Sequence, residues 1–412
     1  MECNTNMKAF AKLIFLLFLA APALSAQDWG LLTDQNVKAY SIGTDDITGS
    51  AENSLEYTAA VIPWISVPME NADLFISAAA SAHFADKQWE IIPELLRTEI
   101  SLRLAQNGTL SVGRIGYTDP LGIVANGLFD GIYYSHDSER GTIGAGAWYT
   151  GLLFKKTAYI TMTEEDLDLY YEGLDYSDFA GTYFAPKRAF GALDWDYSAG
   201  DFSALNCALM GQVDLSGREK LYHSIYLMAK LTVPVNSFIF ELGGLAETAI
   251  ASKRYYYSFA GEFGIGWMLP TPIHDKLQLR GRLTNGALPD FNIIPFVPVT
   301  TIPQGNVLRT KLSGLSMISL DYTARLHTTF SVQLASSYFI LSDLDTYPSN
   351  GLIGGTDGFF LGNEFYGRLV WSPVSDLHIT AGGGAFLPSM GNADRNAGMI
   401  IFAEFTVKLA VF

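Results

Sequence analysis

Charged and polar side chains recur at every second position in several stretches of this sequence. Residues 276–283 alternate between polar side chains at Lys276, Gln278, Arg280 and Arg282 and apolar or small ones at Leu277, Leu279, Gly281 and Leu283. Successive residues of a β-strand point to opposite faces, so this pattern places fixed charges on one face only. Such charges either pair across neighbouring strands and stabilise a wall, or create a field that biases which ions pass an aqueous pore. Both interpretations stay open.

Similar polar faces occur along much of the chain, and they must enclose an interior if the apolar faces contact lipid. The residues expected to line that interior are Arg97, Glu99, Arg103, Lys230, Glu241, Glu262, Arg280, Arg282, Lys311, Asp321, Arg325, Glu364, Arg368, Glu404 and Lys408. The whole chain carries a net charge of −16, which argues against nucleic acid as a partner.

Two stretches interrupt the strand-like pattern. Residues 163–178 are rich in carboxylates, and Thr163 with Asp166 predicts the capped start of a short helix that stops at Gly173. We expect this segment to fold over or into an opening, although a solvated loop is the alternative. Residues 287–299 are apolar for an exposed connection, which favours packing inside the same opening over a docking surface.

Catalysis receives little support from the sequence. The six histidines are scattered, and no GxSxG, HExxH or CxxC motif is present. His223 and Ser224 are adjacent on a predicted strand and therefore point to opposite faces, so they cannot form a Ser-His pair. We expect neither enzymatic activity nor a metal or other cofactor.

The elements that would position these residues are strands of about ten residues separated by turns. In the last one, Ala403, Phe405, Val407, Leu409 and Val411 fall on one face. Short connections such as 106–108 and 327–328 alternate with longer ones such as 155–182, 285–307 and 343–358. Aromatic residues also gather at segment ends, as interfacial girdles would require. A soluble sheet with one solvent-exposed face would also show this alternation. The apolar faces are rarely interrupted by a charged residue, however, which favours contact with lipid.

The predicted fold is therefore all-β, a transmembrane antiparallel up-and-down β-barrel of about 18 strands, with about 16 as the alternative. The first strand is expected near Val37 to Gly43. Hydrophobic residues make up 49% of the chain, although no apolar run is long enough for a transmembrane helix. This composition suits a barrel.

The amino terminus predicts export. Residues 1–26 have the features of a signal peptide, with Lys8 and Lys12 before a short apolar core and small residues at the cleavage site. The mature barrel would then span residues 27–412. Cys207 would be its single cysteine, which excludes an intrachain disulfide.

One hairpin resembles a family of known proteins. Val112-Gly113-Arg114 followed by Phe129-Asp130-Gly131 is similar to the Val-Gly-Arg and Phe-Asp-Gly strands of the large alginate-export and phosphate-selective outer-membrane porins. The resemblance implies a wide channel, and it makes Arg114 and Asp130 candidates for the pore lining. The carboxyl-terminal residues that share the parity of Phe412 are polar or small, which is atypical of such proteins and suggests another lineage such as the spirochaetes.

The sequence thus predicts a porin-like channel in the cell outer membrane, for passive diffusion of small hydrophilic solutes through a charged lumen. Its partners would be outer-membrane lipid, those solutes and, during biogenesis, the barrel-assembly machinery. The chain could also form a homo-oligomer. The alternative is a surface-exposed structural or adhesin-type barrel with a plugged lumen.

Overall fold

The architecture was obtained from a computed structural model of the full chain. The structure describes residues 28–43, 52–104, 107–198, 200, 203–344, 358–392 and 398–411. The predicted signal peptide, residues 1–26, lies outside the described residues. Most of the predicted long connection 343–358 does as well.

Eighteen antiparallel strands form one closed sheet. They are β1 (Asp28–Ile42), β2 (Glu52–Pro68), β3 (Ala72–Ala85), β4 (Gln88–Leu104), β5 (Gly108–Thr118), β6 (Asn126–Ser138), β7 (Gly141–Tyr149), β8 (Arg188–Ser198), β9 (Ala204–Asp214), β10 (Tyr222–Val235), β11 (Phe238–Ala251), β12 (Arg254–Met268), β13 (Lys276–Thr284), β14 (Leu315–His327), β15 (Phe330–Leu341), β16 (Phe360–Val374), β17 (Leu377–Leu387) and β18 (Ile400–Val411). The ring closes because β1 pairs with both β2 and β18. The prediction of 18 strands is confirmed, and the alternative of 16 is wrong.

The two predicted faces are present in the last strand. Phe405, Leu409 and Val411 of β18 are exposed on the outer face. The polar face points inward, where Lys408 reaches Asp34 of β1. The first strand starts earlier than expected, at Asp28, because its pairing with β2 extends to Asp28 opposite Ser66.

Connections at the two ends of the barrel differ in length. Those that follow even-numbered strands are short, such as 328–329 and 375–376, as predicted. The connections after odd-numbered strands include the long ones, but Asp86-Lys87 and Ser252-Lys253 are two-residue turns. All four turn residues have positive φ angles, between 48° and 65°. Such angles match the twist of tight hairpins, so these strand pairs need no longer loop.

Short helices occur in the connection between β7 and β8. They are α1 (Lys155–Ala158), α2 (Glu164–Tyr171) and α3 (Phe179–Tyr183). Within the described residues, no helix combines the length and the apolar character needed to cross a membrane.

Candidate functional site in the barrel lumen

A ladder of ion pairs covers the inner wall from β10 to β14. Lys230 Nζ lies 2.9 Å from Glu262 and 3.6 Å from Glu241. Arg282 of β13 lies 3.5 Å from Glu262 of the neighbouring strand β12. Arg280 lies 3.6 Å from Asp321 on β14. Alternation alone predicts that these residues lie on the interior face. The antiparallel register between neighbouring strands brings their side chains within ion-pair distance.

Opposite charges also alternate on the wall from β3 to β5. Arg97 donates to Glu99 at 2.6 Å, and Ser101 and Ser111 donate to the other oxygen of that carboxylate. Towards the short-turn end, Arg103 lies 3.3 Å from Asp73. Arg97 also lies over the Phe75 ring, 5.2 Å from its centroid. Most of these charges are thus compensated locally, as the stabilising interpretation expects.

Two predicted interior cations on the strands have no carboxylate partner in the described part of the chain. Arg325 donates to the Thr328 carbonyl at 2.9 Å, and Arg368 donates to Gln333 at 2.9 Å. Both are exposed. They therefore contribute uncompensated positive charge at the end of the barrel that carries the short turns.

Arg114 and Asp130 occupy a different place from the one expected. They form a bidentate ion pair, with Arg114 Nε and Nη2 at 2.9 and 2.8 Å from the two Asp130 oxygens. Their chain neighbours Ile115 and Phe129 belong to the core inside the barrel, so the ion pair lies on the other face of its strands. Arg114 is buried within the wall. The pair does not face the open lumen.

Lys311 and Glu364 also differ from the expectation of strand residues lining open space. Lys311 lies in the connection between β13 and β14, because β14 begins only at Leu315. Burial lowers the pKa of Lys311. Glu364 is on β16, but it is buried and accepts backbone N–H bonds from Asn306, Val307 and Leu308 at 2.6 to 2.9 Å. It anchors that same connection to the wall.

Three connections fold into the barrel and contact one another. They comprise residues 119–125, 150–187 and 285–314, between β5 and β6, β7 and β8, and β13 and β14. Thr300 N donates to the Val124 carbonyl at 2.9 Å, and Thr301 N donates to the Tyr159 carbonyl at 2.8 Å. Their apolar residues, among them Ile123, pack against the inner faces of β5–β12. The predicted inward packing of 287–299 is found for Phe296 and Val299, which are buried.

The acidic segment forms the predicted capped helix. The Thr163 hydroxyl accepts from Asp166 N and the Asp166 carboxylate accepts from Thr163 N, both at 3.2 Å. The carboxylate also lies 2.5 Å from Arg188 on β8 and 2.7 Å from Arg218. No sequence spacing indicated these two partners, because they come from other strands and loops.

Aromatic rings and cations from several elements converge where these connections approach β1. Tyr159 and Tyr170 stack with centroids 4.6 Å apart, and Lys156 Nζ lies 4.5 Å from the Tyr170 centroid. Burial raises the pKa of both tyrosines and lowers the pKa of Lys156. Arg309 acts electrostatically on the two tyrosines as well as on β1.

We name this group the tyrosine–cation cluster, and its members are Lys38, Tyr40, Lys156, Tyr159, Tyr170 and Arg309. Lys38 and Tyr40 are its members on β1, and the carboxylates of Glu56 on β2 and Glu404 on β18 act on both. Sequence reasoning missed most of it. Arg309 lies in an irregular connection with a φ of 51°, where no period marks the direction of a side chain. No described group of His, Cys, Asp or Glu residues is arranged to hold a metal ion.

The sequence matches no protein-family model and no curated protein. Solved structures do match it. OccK5 (OpdH) of Pseudomonas aeruginosa aligns with a TM-score of 0.62 at 10% identity, over 94% of this chain and 99% of that one. The outer membrane protein OprD of the same organism aligns with a TM-score of 0.55 at 13% identity, over 94% of each chain.

A third structure, Pseudomonas aeruginosa OccK2 (OpdF) in complex with glucuronate, aligns with a TM-score of 0.58 at 10% identity, over 92% of this chain and 98% of that one. At such low identities the agreement concerns the backbone, since few side chains are shared. The chain therefore has the closed antiparallel barrel fold of these Pseudomonas outer-membrane proteins.

Proposed function

We propose that this protein is an outer-membrane channel through which small hydrophilic solutes diffuse passively. The observation that carries the proposal is the two-sided closed ring, with exposed apolar residues outside and a charged wall inside. A ring of this kind can cross a bilayer because each strand pairs with a neighbour on either side and the apolar face meets lipid. The fold shared with the outer membrane protein OprD supports the same location.

The infolded connections would set the width of the channel. They pack against the inner faces of β5–β12, and Val307 and Leu308 pack against the inner faces of β14–β18. Solutes would pass through the space that these connections leave. Charge bias would come from the exposed cations and from the tyrosine–cation cluster. OccK2, a barrel of similar fold, was solved in complex with glucuronate, a small polar molecule, which supports this solute class. The alginate-export or phosphate-selective subtype suggested by one hairpin remains a prediction.

Insertion by the barrel-assembly machinery and assembly into a homo-oligomer also remain predictions.

Planar-bilayer recordings of the refolded protein test the proposed channel. Discrete, stable conductance steps are expected. A silent bilayer, with barrel insertion shown independently by heat-modifiable migration on a detergent gel, would contradict the channel and favour a plugged structural or adhesin-type barrel.

Reversal potentials in a salt gradient test the contribution of the lumen charges. Replacing Arg280 and Arg282 with Glu should shift selectivity towards cations, because each change reverses a charge on the inner wall. Arg140→Gln, in the turn between β6 and β7, is the matched control and should leave the reversal potential unchanged. An unchanged potential in the double variant would remove both arginines from the conducting path.

A further inference from the structure

The barrel wall has a seam beside β4. The ladder between β4 and β5 runs only from Thr98 opposite Arg114 to Leu104 opposite Gly108. Residues 88–97 of β4 continue beyond it, and of these 88–95 pair with β3 before the register shifts at 96–97. Meanwhile β5 ends at Thr118, where its connection turns into the lumen. One edge of β4 therefore lacks a neighbouring strand over this length.

The outer face beside this free edge has the character of a lipid-facing surface. On the outer face of the same segment, Trp89 is 59% exposed, Ile91 55% and Leu95 41%. Such a row of large apolar side chains with a terminal tryptophan is typical of a surface in contact with lipid up to the interface. Backbone groups left unpaired in hydrocarbon cost several kcal/mol each, so this edge needs other partners.

Side chains supply those partners. The Arg114 guanidinium donates to the Leu95 carbonyl, and the Tyr183 hydroxyl donates to the Pro93 carbonyl at 2.6 Å. The Tyr176 hydroxyl accepts from Ile91 N at 2.8 Å and donates to the Ile91 carbonyl at 3.1 Å. Both tyrosines belong to the connection between β7 and β8. Thus a loop, held by side chains, completes the wall here.

The part of β12 that extends beyond its neighbour β13 is covered differently. Residues 254–259 extend beyond the pairing with β13, which ends at Ala260 opposite Thr284. There the chain itself continues the ladder: Tyr257 N donates to the Asn292 carbonyl at 2.9 Å, and Ile294 N donates to the Tyr257 carbonyl at 3.0 Å. In the part of the chain that the structure describes, no such backbone bond joins residues 88–97 to the loop beside them. The barrel wall is therefore closed by fewer backbone hydrogen bonds beside β4 than beside β12.

A pocket of 190 Å³ lies in this seam. Leu95 and Leu128 line it from the outer faces of β4 and β6, and Phe129 and Leu153 add buried apolar surface. Its far side is formed by Glu94 and by residues of α1, with Thr157 bonded to the Glu94 carboxylate at 2.5 Å. Glu94 is adjacent to Leu95 and points to the opposite face. The pocket thus runs from the lipid side into the thickness of the wall.

We propose that this seam binds an acyl chain of an outer-leaflet lipid, inserted between β4 and the connection that joins β7 to β8. The pocket is large enough for a segment of such a chain, since an apolar cavity of about 150 Å³ already holds a benzene molecule. Lipid is the occupant because the pocket opens among exposed apolar side chains on the membrane face. The proposal rests on the membrane location but not on conduction.

Photolabelling tests it. The full-length barrel is reconstituted with phosphatidylcholine that carries a diazirine near the end of one acyl chain, irradiated and mapped by mass spectrometry. Adducts are expected at Thr157 or Ala158, on the inner side of the pocket, as well as at freely lipid-facing Leu242. Labelling of Leu242 without labelling of Thr157 and Ala158 would overturn the seam alone. Absence of both would overturn the membrane location together with the seam.

A pair of variants separates occupancy from general lipid contact. Leu128→Trp should fill the pocket and reduce the inner adducts several-fold, while labelling of Leu242 stays constant. Leu227→Trp adds the same ring on the exposed outer face of β10, away from the seam, and should leave the inner adducts unchanged. Both variants should retain heat-modifiable migration, which reports barrel folding. Equal inner labelling in the two variants would contradict the proposal.

Discussion

Asp166 of α2 and Arg188 of β8 form an ion pair 2.5 Å long, with both side chains 0% exposed. Asp214 lies 3.4 Å from the same guanidinium, and Arg218 lies 2.7 Å from the same aspartate. An acidic segment that could have remained in solvent is thus fixed to the barrel wall. Breaking one partner of a buried pair leaves the other charge uncompensated, which makes this contact a sensitive test of the infolded loop.

Asp166→Asn should release the connection between β7 and β8 from the wall. The loss of one partner in a buried pair costs about 3–5 kcal/mol, so we expect a larger and noisier single-channel conductance. The control is Glu165→Gln, which removes the same charge from the exposed neighbouring position of the helix. If both variants conduct like the unmodified protein, the ion pair does not hold the loop in place.

Lys155 gives this loop a predictable dependence on pH. Its side chain is buried, its ammonium has no hydrogen-bond partner among the described residues, and burial lowers its pKa below the ordinary 10.5. The unfolded loop therefore binds more protons than the folded loop, and folding becomes more favourable as pH rises towards 10.5. Lys155→Met should remove this dependence and protect the loop more strongly at neutral pH.

Hydrogen exchange over residues 150–187, corrected for intrinsic rates between about pH 7 and pH 10, measures the effect. Lys220→Met, on an exposed connection, serves as the comparison and should retain the pH dependence of the unmodified loop. A Lys155→Met loop that keeps the same slope would show that another group is responsible.

Glu364 should be the main anchor of the connection between β13 and β14. Glu364→Ala leaves three backbone N–H groups without their acceptor, and a buried unsatisfied donor costs about 1–3 kcal/mol. Amide exchange at residues 306–308 should accelerate. Glu241→Ala, which removes a wall carboxylate without contact to this segment, provides the reference. Unchanged protection at 306–308 in Glu364→Ala would refute the anchoring role.

Arg309 should influence ion selectivity more than its place in the sequence suggests. Arg309→Gln removes a cation from the tyrosine–cation cluster, so the reversal potential should move towards cation preference. Arg325→Gln removes a cation near the short turn between β14 and β15, outside this cluster, and should have a smaller effect. The ordering of the two shifts is the result to check. An equal or larger shift in Arg325→Gln would contradict a leading role of the tyrosine–cation cluster in ion selectivity.

The strands and their two faces were predictable from the sequence because a period of two is a local property of the chain. The alternation in β13 and β18, the turns that follow even-numbered strands and the cap between Thr163 and Asp166 all depend on neighbouring residues. Closure followed as well, since an apolar sheet that faces lipid cannot end in a strand without a neighbour on both sides.

The infolded loops were decided by tertiary structure. Asp166 meets Arg188, Glu364 meets residues 306–308, and Arg309 acts on β1, because strands far apart in sequence converge across one lumen. The contact between Arg114 and Asp130 depended on the register between β5 and β6, which alternation does not encode. A strand pattern thus determines which residues share a face, whereas only the closed ring determines which of them meet.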